Sequence, residues 1–231
     1  MLTSSLRSVV KGLASFAFDE SCLVCGEGEV EMCNVCRKSW SQKAAKIKGE
    51  NFPIFSKVSY DDAAAKLVLF AKESGLSKAK ALLANALVDA ILDLLTDLDL
   101  REGQVHLVPI PSSPLARTRR GEDFLYELAK ITNKRLITIA PRFDFQVSRV
   151  LKLQKLTIDQ SGLSERQRRL NLSGAFVADS KCRTSAQLLI LDDVITTGST
   201  LREAYRALKE RNLTVLGAAT ACASQRRQLI R

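Results

Sequence analysis

The sequence predicts an α/β protein, a parallel sheet with helices on both faces, with a small cysteine module on its N-terminal side. Three observations point there. Residues 187–201 read as a short buried strand at 188–191, a small-residue loop, and a helix whose Leu201, Ala204, Tyr205 and Leu208 share one side. Leu82, Leu83, Ala86, Leu87, Ala90, Ile91, Leu94, Leu95 and Leu98 recur at spacings of three and four, the core-facing stripe of a long helix. Apolar runs at residues 105–110 and 213–222 supply further strands.

At 231 residues the chain can bury a full α/β core and still carry one accessory module. Its 46% apolar and 26% charged content are those of an ordinary globular protein, which excludes disorder as a whole. The net charge of +10 and a pI near 9.5 favour a polyanionic partner or reflect a solvated basic surface. Residues 1–18 place Arg7 and Lys11 ahead of a short apolar run, but Asp19 and Glu20 interrupt it and no small-residue cleavage site follows, so a signal peptide is not expected. The most apolar long window, residues 81–100, holds Asp89, Asp93, Asp97 and Asp99, which desolvation would forbid in a membrane span. A cytoplasmic protein is expected.

Taken in order, Cys22, Cys25, Cys33 and Cys36 form two Cys-x-x-Cys knuckles with seven residues between them. Four thiolates at that spacing can close around one structural Zn²⁺, with Gly26 turning the first knuckle. Disulfides would need an oxidising compartment, and a redox pair would explain one knuckle and not two. Cys182 and Cys222 stand apart and read as apolar residues. Residues 41–55, with Lys43, Lys46, Lys48 and Gly49, read as a connector. A strand is expected at 57–60, a helix at 63–72, and then the long helix.

After the strand at 105–110, Pro109, Pro111 and Pro114 force an irregular loop in which Ser112 and Ser113 offer donors. Arg117, Arg119 and Arg120 follow; they could clamp a pyrophosphate, grip nucleic-acid phosphates, or lie on a surface loop. His106, the single histidine, reads as a structural strand residue, so no Ser-His-Asp or Cys-His nucleophile is available. A helix is expected at 122–131 and a strand at 136–139, before Pro141. Residues 142–171 hold Arg149, Lys152, Lys155, Arg166, Arg168 and Arg169 against few acids, and within them 159–171 read as a polar loop between core strands, of a length that is usually functional. A basic tail closes the chain at 225–231.

The chemistry concentrates at Asp192 and Asp193, followed by Thr196, Thr197, Gly198, Ser199 and Thr200. A small-residue loop entering a helix offers backbone N–H groups and the positive dipole end to an anion, and Gly198 allows close approach. The carboxylates would repel phosphate but accept hydrogen bonds from vicinal hydroxyls. The set therefore suits a ribose 5-phosphate. An ordinary strand, turn and helix would leave the paired acids unexplained. A Walker B reading fails because the sequence has no Gly-x-x-x-x-Gly-Lys-Ser/Thr loop.

Residues 188–200 resemble the 13-residue phosphoribosyl pyrophosphate motif of type I phosphoribosyltransferases: four apolar residues, two acids, two apolar, then Thr-Thr-Gly-Ser-Thr. Asp159 to Leu163, Arg168, Asn171 and Gly174-Ala-Phe176, with the four-cysteine finger and the Val-Pro-Ile-Pro loop, are similar to the ComF competence proteins. The chain departs from many relatives at Arg120-Gly121-Glu122-Asp123, where they carry Arg-Gly-Phe-Asn. The resemblance implies a zinc finger at 20–40, a linker at 41–55 and a phosphoribosyltransferase-like domain at 56–231. It implies phosphoribosyl pyrophosphate or a ribose phosphate as ligand, with Asp192 and Asp193 as the catalytic pair and Thr196 to Thr200 on the phosphate. Ser112, Ser113, Arg117, Arg119, Arg120, Arg168 and Arg169 would then meet pyrophosphate or DNA phosphates. It further implies single-stranded DNA and the DNA-uptake machinery of natural transformation as partners. Two functions stay open: a DNA-handling protein, against which no aromatic interleaves the basic run 166–169, and a transferase using Mg²⁺ with phosphoribosyl pyrophosphate, for which no acceptor-binding set is visible.

Overall fold

The computed structural model describes residues 22–27, 32–48, 50–154, 174–180 and 184–224. The sheet is built from β1 (Ala45–Lys46), β2 (Ile54–Tyr60), β3 (Gly103–Pro109), β4 (Phe143–Val147), β7 (Gln187–Ile195) and β8 (Val215–Ser224) in the order β1-β2-β8-β7-β3-β4. All its pairings are parallel except the short β1 against β2. β5 (Leu151–Leu153) and β6 (Phe176–Ala178) form a separate antiparallel ribbon.

The connections place the helices. β2 leads through α2 (Asp62–Leu69), a π-helical turn at Phe70–Ser74 and α3 (Ser77–Asp97) to β3. β3 leads through α4 (Pro114–Arg120) and α5 (Phe124–Ile139) to β4, and β7 leads through α6 (Ser199–Lys209) to β8. The first two connections step along the sheet in one direction and the third steps back. Right-handed crossovers therefore lay α3 and α5 on one face and α6 on the other. In agreement, α3 packs on β2, β8 and α5, whereas α6 packs on β7, β8, β5 and β6. The reversal falls between β3 and β7, so the crevice beyond their C-terminal ends is where a ligand of such a sheet belongs.

Local chemistry starts and stops these helices. Asp61 caps α2 by accepting the Ala64 N–H at 2.8 Å. Ser113 caps α4 by accepting the Ala116 N–H at 3.2 Å, Pro114 opens that helix, and Gly121 in the left-handed region ends it. The stripe of α3 is buried as its spacing predicts. One contiguous core spans the sheet and its helices, and a small satellite of Cys22, Val24, Met32 and Cys36 packs beneath α1 (Asn34–Trp40) against Trp40 and Leu82.

Several elements differ from their expected bounds. Residues 136–139 continue α5 and are not a strand: Leu128, Thr132 and Leu136 are fully buried at helical spacing, and the Arg135 guanidinium donates to the Ala81 carbonyl on α3. Packing overrides the β preference of the Ile-Thr-Ile run. The stretch read as a connector contributes β1 and the first two residues of β2, and it is tied to α3 by the Ala44 N–H on Asp93 at 2.8 Å and by Lys46 on Asp97 at 2.6 Å. The basic segment 142–171 contributes β4 and β5, while Lys155 and the expected loop at 159–171, with Arg166, Arg168 and Arg169, lie outside the described residues. So do Cys182, Gly49, residues 1–18 and the tail at 225–231. Cys222 is buried in β8, as expected of an apolar residue.

The approach of β2 to β8 leaves no room at Gly217, next to a register shift in β7 between Leu188 and Leu189. A Cβ there would stand 2.4 Å from the Pro53 carbonyl oxygen and 3.0 Å from Leu94 Cδ1. That carbonyl accepts the Ala218 N–H at 2.9 Å, so it cannot retreat without breaking the start of the ladder. Gly217→Ala is therefore expected to destabilise the fold by about 1–3 kcal/mol, read as a lowered urea midpoint. A midpoint equal to that of the unsubstituted protein would contradict this account of the sheet.

Candidate functional site

β7 does not end at Leu191 as its sequence suggests. Its pairing with β8 continues through Asp192–Thr220 and Val194–Cys222, so both acids are strand residues. Alternation sends them to opposite faces. Asp193, 4% exposed, points to the α3 side. There Lys72, from the π-helical turn, places its Nζ 2.6 Å from Asp193 Oδ2 and 5.6 Å from the Phe124 ring centroid. Burial works against the Lys72 charge, but the Asp193 carboxylate outweighs it and raises the ammonium's pKa. Asp192 Oδ1 accepts the Asp193 N–H at 2.9 Å. Burial, followed by the Asp193 charge beside it, pushes the Asp192 carboxyl well above the ordinary carboxylate range.

The turn that carries Lys72 also carries Glu73, which receives Arg119 Nη2 at 2.8 Å and Arg120 Nε at 3.1 Å. The arginines therefore lie on a helix, not a loop, and two of the three are already paired. Exposed Arg117 has no carboxylate partner among the described residues. The serines before them are engaged inside the fold: Ser112 donates to Asp123 at 3.0 Å and Ser113 caps α4. His106 sits within β3, its Nδ1 buried without a hydrogen-bond partner among the described residues.

Beyond β7, Thr196 is exposed, Thr197 and Thr200 are half-buried, and Gly198 and Ser199 are buried at the mouth of α6. Gly198 has φ +75°, which suits glycine, and a Cβ there would meet Glu50 Oε1 at 2.6 Å. Thr197 Oγ1 and Ser199 Oγ share a hydrogen bond of 3.0 Å. Arg202, one turn into α6, braces the loop: it donates to the Thr197 carbonyl at 3.0 Å and to Ser199 Oγ at 3.1 Å, while its Nη1 meets Glu50 at 2.6 Å. Such a loop presents hydroxyls and helix N–H groups to an anion.

The structure thus brings Asp192, Asp193 and the loop at 196–200 to one edge of the sheet, beside the Ile110 to Ser113 turn at the end of β3. Lys72, Glu73, Glu50 and Arg202 are participants that sequence reading missed. Lys72-Glu73-Ser74-Gly75 did carry a trace of the turn, a charged pair just before a helix-ending glycine.

At the other end of the chain, the Cys22, Cys25, Cys33 and Cys36 sulfurs all lie within 4.8 Å of one another. Tetrahedral Zn–S bonds of about 2.3 Å require sulfurs roughly 3.8 Å apart, and Cys25 and Cys33 stand at 3.7 Å, far beyond disulfide length. Backbone N–H groups of Cys33 and Cys36 point at Cys22 Sγ and Cys33 Sγ, at 3.3 and 3.5 Å. Burial opposes ionisation of Cys22, but N–H donors of Cys25, Cys33 and Val24, with a side-chain hydrogen bond from Cys25, lower it to about 6. Burial and the neighbouring thiols push Cys36 up. The four residues are positioned to hold one metal ion.

Comparison with known proteins bears on the sheet. The chain is similar to "Competence protein F" of Haemophilus influenzae, with 35% identity over 107 residues, 45% of this chain and 44% of that protein, so the match spans less than half of the relative's length. A model of the family described as "Phosphoribosyl transferase domain" matches residues 79–229, a span that runs from α3 through the acid pair and its loop to β8. By that match over most of its length, the chain belongs to the phosphoribosyl transferase domain family.

Proposed function

We propose that the protein binds a phosphoribosyl ligand, phosphoribosyl pyrophosphate or a ribose phosphate, at the C-terminal end of β7, and that it handles single-stranded DNA in the cytoplasm during DNA uptake. The observation that carries the first part is the acid pair, half-buried Asp192 and buried Asp193, running straight into the loop that opens α6, at the point where the sheet order reverses. Asp192 and Asp193 would accept from the ribose hydroxyls, and residues 196–200 would hold the 5-phosphate. The DNA part is supported by the similarity to "Competence protein F" and by the net charge of +10.

A second reading is a working phosphoribosyltransferase, favoured by the same acid pair. Hard carboxylate oxygens beside an anion seat fit Mg²⁺ delivered with a pyrophosphate, where it would offset charge on the leaving group. Among the chain's own groups, Arg117 is the α4 arginine free to face that charge. Arg119 and Arg120 would have to exchange Glu73 for it. Asp192 and Asp193 would hold the ribose while positive character develops at its anomeric carbon.

Asp193→Asn keeps size and removes charge, so calorimetry with phosphoribosyl pyrophosphate and Mg²⁺ should show roughly tenfold weaker binding, the loss of one charge-assisted hydrogen bond. Unchanged affinity would place the ligand elsewhere.

The sulfur cluster is read as a structural zinc site, because a closed four-thiolate shell leaves no open position for chemistry. Protein purified without chelator should contain one zinc per chain, and Cys22→Ser should lose the metal and unfold the satellite core while the sheet still unfolds cooperatively. Metal analysis that finds none would remove the zinc assignment.

A further inference from the structure

A second cluster of cationic and aromatic groups lies on the same C-terminal side of the sheet as the acid pair. A cleft of about 470 Å³ opens between α4, the start of α5 and the turn joining β4 to β5, lined among others by Arg117, Glu122, Asp123 and Arg149. Its charges are unequally engaged. Glu122 is paired with Lys80 at 2.5 Å, and Asp123 accepts from Ser112 at 3.0 Å. Arg117 and Arg149 are both exposed, and neither has a carboxylate partner among the described residues. Nearby cations are different: Arg119 and Arg120 are held by Glu73, Lys72 by Asp193, Lys130 by Glu127 and Lys152 by Asp179. The two unpaired guanidiniums therefore face one cleft whose acids are already engaged.

The Arg149 guanidinium carbon lies 3.7 Å from the centroid of the Tyr126 ring, and Lys130 Nζ approaches the same ring at 5.5 Å. A guanidinium at that distance is fixed in place by the ring, and its outer side is a platform on which a base can stack. α4 follows the C-terminal end of β3, and the turn with Arg149 follows the C-terminal end of β4, so the cleft opens at the same sheet edge as Asp192 and Asp193.

We propose that this cleft seats a stretch of single-stranded nucleic acid, with Arg117 and Arg149 on its phosphates and the Arg149–Tyr126 stack beneath one base. The proposal rests on the DNA half of the function argued above and gives it a place. It supplies the aromatic platform that is not visible in the order of the sequence, because Tyr126 and Arg149 meet only through the fold.

The test is anisotropy titration of a labelled oligothymidylate at several salt concentrations, on the full chain. Neither arginine takes part in an ion pair among the described residues, so Arg117→Gln/Arg149→Gln should fold normally, as thermal melting will check. It is expected to bind at least about tenfold more weakly at low salt, with a log K against log salt slope shallower by roughly 1.4, about 0.7 for each lost phosphate contact. Arg149→Lys keeps the charge and loses the plane, so it should keep the slope and still weaken binding. Arg101→Gln/Arg211→Gln removes equal charge at the opposite end of the sheet and should change affinity far less.

If the cleft variant behaves like that control, the strand lies elsewhere: the cleft is rejected and the DNA reading stands. If the unsubstituted protein fails to bind the oligonucleotide at low salt, both are rejected, while its binding of phosphoribosyl pyrophosphate reports separately on the acid pair. If the cleft variant keeps oligonucleotide affinity but loses affinity for inorganic pyrophosphate, the cleft is a small-anion seat and the proposal is overturned.

Discussion

Charge at the end of a buried parallel strand is the constraint around which this molecule is arranged. Asp193 is 4% exposed, and burying a carboxylate there without a partner would be costly. Lys72 supplies that partner from 2.6 Å away. The ammonium comes from a π-helical turn, closed by Gly75 in the left-handed region. Such turns are rare and recur at functional sites. Here the turn places Lys72 on Asp193 and the next residue, Glu73, on Arg119 and Arg120, joining the acids of β7 to the basic face of α4 through two consecutive side chains.

The loop after β7 depends on a second ion pair. Glu50, whose side chain is 1% exposed, meets Arg202 at 2.6 Å, and Arg202 in turn holds Thr197 and Ser199. A segment that reads as a plain connector thereby sets the shape of the loop, and Phe52 from the same segment stacks on Tyr205 of α6 at 4.2 Å between centroids. Gly198 and Gly217 lie where the chain passes too close for a side chain, against Glu50 and against Pro53. The edge of the main sheet and the mouth of α6 are fixed together.

What was legible in the sequence was local. The paired cysteines, the long stripe of α3 and the order of acids and hydroxyls at 188–200 depend on spacing along the chain, and they appear in the structure as elements of the expected kind. Residues 136–139 misled because β-branched side chains on a helix look like a strand until burial of Leu128, Thr132 and Leu136 is known. β7 outran its apolar run because β8 continues the ladder and Lys72 supplies a counterion, both from distant sequence. Glu50, Arg202 and the Arg149–Tyr126 stack could not be read at all, and Lys72 only as a charge just before a helix-ending glycine, since each gains its meaning from a partner brought by the fold. Arg168 and Arg169 lie outside the described residues.

The most direct test of this account is a double-mutant cycle on stability, using Lys72→Met, Asp193→Leu and both together, followed by urea unfolding. If the buried pair organises the site, each single change strands a charge and costs about 3–5 kcal/mol, while the double change costs far less than the sum, because two apolar residues of similar volume can replace a buried pair. Additivity within about 0.5 kcal/mol would mean that Lys72 and Asp193 do not depend on one another, and would contradict the central place given to their contact.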